Sequence, residues 1–158
     1  MGCLCQEIAG PYIELSPICL GHLWMFENLP RSEVKELIRE AARKKLTKGE
    51  TLFMQSDPAD ELFLIKGGRI KLVKIFEDGS ELTLDIRKDG DFLGENSFSD
   101  QGEYPVSAIC LEDTLTCGFT RNQFEQLVLK HPNIGLQVIK NLSDRITWLT
   151  SQVGSLAV

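Results

Sequence analysis

Histidine is nearly missing from this chain. Only His22 and His131 occur in 158 residues, and both lie outside the β-rich middle. A barrel enzyme that holds a metal with several histidines and a carboxylate has no ligand set here. No Ser/His/Asp arrangement, phosphate-cradling Gly-rich loop or metal-spaced His pair occurs either, so no enzymatic activity is expected. Long apolar runs are absent too. None approaches the roughly 20 residues that a membrane span needs. The N-terminus lacks the basic and long apolar regions of a secretion signal. Met1-Gly2 is followed by Gln6, where myristoylation wants Ser or Thr. These absences point to the cytoplasm and away from membranes. Positive charge is also short, with 17 Lys and Arg against 23 Asp and Glu, a net charge of −6 and a pI near 5.0. A module that grips DNA alone needs a basic face to replace phosphate counterions. The one basic cluster, Arg39, Arg43, Lys44, Lys45 and Lys48, reads as a solvated helix face. The five cysteines, Cys3, Cys5, Cys19, Cys110 and Cys117, are an odd number. In a cytosolic chain that leaves metal, cluster or redox roles rather than a disulfide framework.

What is present is ordinary for one domain with its own core: 42% hydrophobic and 25% charged residues. Residues 48–119 hold short β-forming runs broken by turn signals at intervals of roughly ten residues. The runs are Thr51 to Met54, Glu61 to Lys66, Arg69 to Phe76, Glu81 to Arg87, Ser107 to Leu111 and Thr114 to Phe119. Gly67-Gly68, Asp78-Gly79 and Asp89-Gly90-Asp91 punctuate them. Arg69 to Phe76 has apolar residues on both faces, Ile70, Leu72 and Phe76 against Val73 and Ile75, which predicts partial cover on both sides. Glu81 to Arg87 alternates strictly, Leu82, Leu84 and Ile86 on one face and Thr83, Asp85 and Arg87 on the other. Such a meander closes as a jelly roll or barrel, which hides its edges.

Helices flank this region. Residues 1–28 read as an irregular arm, broken by Gly10-Pro11 and Ser16-Pro17 and anchored by Trp24, Met25 and Phe26. A helix begins near Pro30, with Glu33 and Glu36 at its positive end and Val34, Leu37, Ile38 and Ala41 as its apolar stripe. Arg39, Arg43, Lys44 and Lys45 are expected toward its C-terminal end. Thr120 is a good N-cap for a helix over 121–130, which His131-Pro132 ends. The last helix covers about 133–155. Leu142, Ile146, Leu149, Val153 and Leu156 are spaced four, three, four, three, with Ile139 upstream. That is the narrow stripe of a two-helix pair, though a helix packed on its own barrel would also satisfy it.

Three stretches carry a family resemblance. They are Lys48-Gly49, the pair around Leu62-Phe63-Leu64-Ile65-Lys66-Gly67-Gly68-Arg69-Ile70-Lys71, and Gly90-Asp91-Phe92-Leu93-Gly94-Glu95. In this order they resemble the sensor domain of the Crp/Fnr transcription regulators, from about Met25 to the C-terminus. Tyr104-Pro105 followed by Ala108 looks closer to the Fnr branch. The resemblance implies a mainly β fold with flanking helices: a double-stranded β-helix (jelly roll, cyclic-nucleotide-binding-like) and then a long dimerisation helix. It divides the chain into an arm (1–28), a barrel sensor domain (29–132) and the dimer helix (133–158). A helix-turn-helix domain would follow and is absent here, so contacts with DNA and RNA polymerase belong to a longer protein.

The implied effector pocket is Leu93, Gly94, Glu95, Asn96, Ser97, Tyr104 and Pro105. Cyclic AMP is not expected in it, because Tyr104-Pro105 stands where nucleotide-binding members carry an Arg-Ser or Arg-Thr pair. A buried phosphate without a cation is disfavoured. The implied homodimer interface is Ile139, Leu142, Ile146, Leu149 and Val153. In the Fnr branch three arm cysteines and one on the strand after the Pro-x-x-Ala stretch hold an iron–sulfur cluster. Here Cys3, Cys5, Cys19 and Cys117 would be the four thiolates of a [4Fe–4S] site, although the arm spacing is wider than in that branch. Thiol-redox sensing, zinc or plain reduced cysteines are the other readings. Cys117 shares strand parity with Leu115 and Phe119, and Cys110 sits with Ala108 as a core thiol. The expected function is effector sensing and dimerisation for a DNA-binding regulator, with redox or oxygen sensing through the implied iron–sulfur cluster. A stand-alone small-molecule module with a metal-free jelly-roll pocket is the alternative.

Overall fold

The period-two runs form eight strands: β1 (Ala42–Leu46), β2 (Thr51–Phe53), β3 (Glu61–Gly67), β4 (Arg69–Ile75), β5 (Glu81–Lys88), β6 (Phe92–Leu93), β7 (Ser107–Cys110) and β8 (Thr114–Thr120). The computed structural model describes residues 24–26, 28–100 and 102–156. Helices α1 (Arg31–Glu40), α2 (Arg121–Lys130) and α3 (Pro132–Leu156) flank the strands, with 3₁₀ turns at Trp24–Phe26 and Glu95–Phe98. Two antiparallel four-stranded sheets, in the orders β1-β8-β3-β6 and β2-β7-β4-β5, make the expected jelly roll. The arm residues 1–23, with Cys3, Cys5, Cys19 and His22, lie outside the described residues.

Strand β3 shows how the layers are built. Alternate side chains leave a strand on opposite faces. Phe63 and Ile65 point into the barrel, where Leu46, Phe53, Ile70, Leu72, Leu93, Tyr104, Ala108 and Cys110 join them. Leu62 and Leu64 point out into a second core. There Leu115, Cys117 and Phe119 of β8 meet Met25, Phe26 and the apolar faces of all three helices. Helix α2 starts on a capping box, in which the Thr120 hydroxyl accepts from Gln123 N and the Gln123 side chain accepts from Thr120 N. Helix α3 buries Ile134 and Val138 against the outer core, and Leu142 packs at its margin.

Two local expectations are corrected. Helix α1 stops at Glu40, and Ala41 is already extended. Arg43, Lys44 and Lys45 therefore lie on β1, paired with Cys117, Thr116 and Leu115 of β8. The strand ladder supplies their backbone bonds, and Arg43 still donates from Nη2 to the Ile38 carbonyl of the helix (2.9 Å). Phe76 falls beyond β4 and is exposed rather than sharing the buried face of Ile70 and Leu72. The register slips between Leu72 and Val73, which pair with Asp85 and Thr83 and leave Leu84 as the extra residue of a bulge. On β5, whose two faces the sequence separated without ranking them, Asp85 and Arg87 turn inward and Leu82, Leu84 and Ile86 face out.

Candidate functional site

The inward side of β5 carries Asp85 and Arg87, and Arg87 is buried. Burial opposes its charge, but Glu95 and Asp85 outweigh that and hold its pKa above the usual arginine range. The guanidinium donates from Nη1 to the Phe92 carbonyl (2.7 Å), from Nη2 to Glu95 Oε1 (3.0 Å) and from Nε to Asp85 Oδ2 (2.9 Å). The same Asp85 oxygen accepts from Arg145 Nη1 of α3 (2.9 Å), and Arg145 Nη2 lies 3.2 Å from Asp91 Oδ2. Five charged side chains thus tie the β6 loop, the strand and the middle of α3 together. Charged groups taken this far from water persist only when their partners are in place.

The loop after β6 is set by backbone geometry. Gly94 adopts φ 90°, ψ 17°, and a Cβ there would stand 2.5 Å from the Glu61 carbonyl oxygen. Only glycine takes that conformation at so close an approach. Glu95 begins the 3₁₀ turn, and Ser97 N donates to Gly94 O (2.9 Å). Asn96 is half-buried and its carbonyl accepts from Ser99 N, while Ser97 is fully buried. Leu93 lies inside the barrel core beside Tyr104. The Tyr104 ring stacks on Phe53 with centroids 3.9 Å apart, and its hydroxyl donates to the Glu61 carbonyl (2.8 Å). Burial pushes the Tyr104 phenol up to about 12. Pro105 is exposed. Among the expected pocket residues, Glu95 bonds to Arg87, Gly94 packs against the Glu61 carbonyl, Leu93 and Tyr104 fill the barrel, and Pro105 is exposed.

Cys117 and Cys110 occupy opposite faces of the barrel wall. Cys117 is fully buried in the outer core with Met25 and Phe26. Cys110 lies in the inner core, where burial raises its thiol pKa. Among the described residues no group of three or more His, Cys, Asp or Glu converges as a metal site. No helix among them is long and apolar enough to cross a membrane. Trp24 ends the N-terminal segment by donating from Nε1 to the Gly90 carbonyl (3.1 Å), with its ring 5.9 Å from that of Phe92. The turn that holds Asp91 is therefore pinned from the arm side as well.

Sequence reading singled out Glu95 but missed Arg87, Asp85, Asp91 and Arg145 as its network. Two signals were available: the charged parity of an otherwise apolar strand, and an arginine lying off the α3 stripe.

A barrel of this topology, with a glycine-set loop after β6 and a long following helix, defines the cyclic-nucleotide-binding class. The chain belongs to the cyclic nucleotide-binding domain family, whose model matches residues 43–131, and its relatives are Crp/Fnr regulators. It is 31% identical over 143 residues to the fumarate and nitrate reduction regulatory protein of Salmonella typhimurium, covering 90% of this chain and 53% of that one. It is 29% identical over 131 residues to the anaerobic regulatory protein of Bacillus subtilis, covering 82% and 55% respectively. The crystal structure of the Thermus thermophilus catabolite activator protein superimposes with a TM-score of 0.72 at 26% identity, over 84% of this chain and 62% of that one. The chain is thus similar to the sensor portion of such regulators and spans about half the length of the curated relatives it matches.

Proposed function

We propose that this chain is the effector-sensing and dimerisation module of a Crp/Fnr-type regulator acting in the cytoplasm. It changes the geometry of a dimer rather than turning over a substrate. DNA and RNA polymerase are contacted by parts of a longer protein. The observation that carries this reading is the course of α3. Its middle is ion-paired to the barrel through Arg145, and Ile146, Leu149 and Val153 beyond that point are exposed. A helix end without packing of its own is marginal in water, and an apolar stripe on it calls for a second helix. The test is sedimentation equilibrium. The wild-type chain is expected to be dimeric at micromolar concentration and Leu149→Glu monomeric. A Leu149→Glu variant that still dimerises as wild type refutes pairing through α3.

The effector assigned here is not cyclic AMP. The Glu95 carboxylate is already bonded to Arg87, and the Tyr104 ring fills the barrel. The position of Cys117 favours redox sensing instead. It lies in the outer core, which Met25 and Phe26 at the end of the arm join. Cys117 would hold a [4Fe–4S] cluster together with Cys3, Cys5 and Cys19. Such a group supplies a centre that oxidants dismantle. Protein purified without oxygen should then absorb broadly near ~400 nm and contain about four irons per chain. Iron-free, colourless protein refutes the cluster and leaves the dimer module standing.

A further inference from the structure

A cavity of about 260 Å³ opens where the segment around Trp24–Phe26 meets the corner between α2 and α3. Trp24, Met25 and Leu29 line one side, and Lys130, Asn133 and Ile134 the other. Its base is apolar: Met25 and Ile134 are buried in the outer core, with Trp24 and Leu29 packed at that core's margin. The polar tips of the walls are fastened to residues outside the cavity. Trp24 Nε1 donates to the Gly90 carbonyl (3.1 Å), and Lys130 Nζ donates to Glu33 Oε2 (3.0 Å). His131 also lines the cavity, and its Nε2 stands 3.6 Å from the same Glu33 oxygen. Walls already held in place lose little freedom when a ligand enters.

We propose that this corner binds a small carboxylate with an apolar body about one ring in size. The ring lies against Trp24 and Leu29, and the carboxylate faces Lys130 and Asn133. The site is outside the barrel, and it requires neither the cluster nor the dimer proposed above.

Size and charge support this ligand. The cavity is smaller than the ~300–1,000 Å³ that drug-sized molecules occupy, which leaves room for a single ring. The flat indole of Trp24 offers apolar surface of that size, suited to offset stacking. The chain carries 23 Asp and Glu against 17 Lys and Arg, yet among the described residues no Asp or Glu lines the cavity and Lys130 does. Glu33 offsets part of that ammonium from behind. The first N–H groups of α3, which have no partner within the helix, restore positive potential at Asn133. A carboxylate gains more than a neutral group from such donors, because charge-assisted hydrogen bonds are the stronger ones.

The test uses the 158-residue chain carrying Trp148→Phe, which leaves Trp24 as its one tryptophan. Benzoate is the probe and benzamide its neutral counterpart. Trp24 emission should change saturably with benzoate, with a dissociation constant near or below ~1 mM, a range open to a one-ring ligand. Benzamide should bind at least ~5-fold more weakly, and Lys130→Gln should weaken benzoate by a similar factor while sparing benzamide. Backbone amide shifts in nuclear magnetic resonance spectra should move around Trp24 and at 130–137. A Trp24 emission that never saturates with benzoate overturns the inference. Equal affinity for benzoate and benzamide overturns the choice of a carboxylate. Shifts confined to the barrel interior overturn the placement, even if Lys130→Gln fails to fold.

Discussion

Replacing Arg87 with Met keeps most of the side-chain stem and removes the donor that joins Glu95, Asp85 and the Phe92 carbonyl. The side chain of Arg87 is 6% exposed, and those of Asp85 and Glu95 are 12% and 21%. Removing one partner from a buried pair typically costs ~3–5 kcal/mol. Asp85 keeps Arg145, and Glu95 can turn partly toward water, so the lower end applies, about 3 kcal/mol. The assay is urea unfolding at one fixed protein concentration, because dimerisation makes stability concentration-dependent. With a slope of ~2 kcal/mol per molar urea, the midpoint should fall by ~1.5 M at unchanged slope. A fall below ~0.3 M, about 0.6 kcal/mol, is the behaviour of an exposed pair and would refute the reasoning. Glu95→Gln should lose less, since Arg87 retains two of its three acceptors.

Four further outcomes follow from the same geometry. Gly94→Ala should destabilise the fold by more than ~1 kcal/mol in the same assay, because a Cβ meets the Glu61 carbonyl and the left-handed backbone disfavours it; a neutral effect would refute the close approach. Thr120→Ala should cost about 1 kcal/mol through the lost capping box, and an unchanged unfolding midpoint would contradict that cap. The Tyr104 phenol, raised in the fold to about 12, stays neutral where an unfolded tyrosine ionises near ~10. Its contribution is fully present below pH ~10 and is lost as pH rises toward 12; full tyrosinate absorbance from both tyrosines by pH 11 would refute it. Cyclic AMP at millimolar concentration should leave the melting temperature unchanged, and a saturable rise would show that the filled barrel and paired Glu95 yield to the nucleotide.

Strand positions were legible because turn residues fixed them. Gly67-Gly68 and Asp78-Gly79 bound β3 and β4 to within a residue or two of where the chain turns. Cys117 and Cys110 were placed on their faces by parity alone. What escaped was direction rather than existence. Alternation in β5 shows two faces but not which one meets the core, and an inward arginine is readable only once Asp85 and Glu95 are known to surround it. Arg43 to Lys45 look like a helix end because their charge suits one, yet β8 offers them a ladder that no local signal reveals. Leu136 was passed over because the stripe was followed upstream only to Ile139, yet it is exposed three residues before it.

Beyond Arg145, α3 runs a further eleven residues to Leu156. At 1.5 Å per residue that is a rigid rod of about 16 Å, held at one end by two carboxylates. Mechanically it is a lever whose pivot is an ion pair. A tilt of ~10° at the pivot carries the tip by ~3 Å, about two residues of helical rise. A change too small to disturb the barrel core is therefore large enough, at the far end of the rod, to shift side chains from one packing hollow to the next.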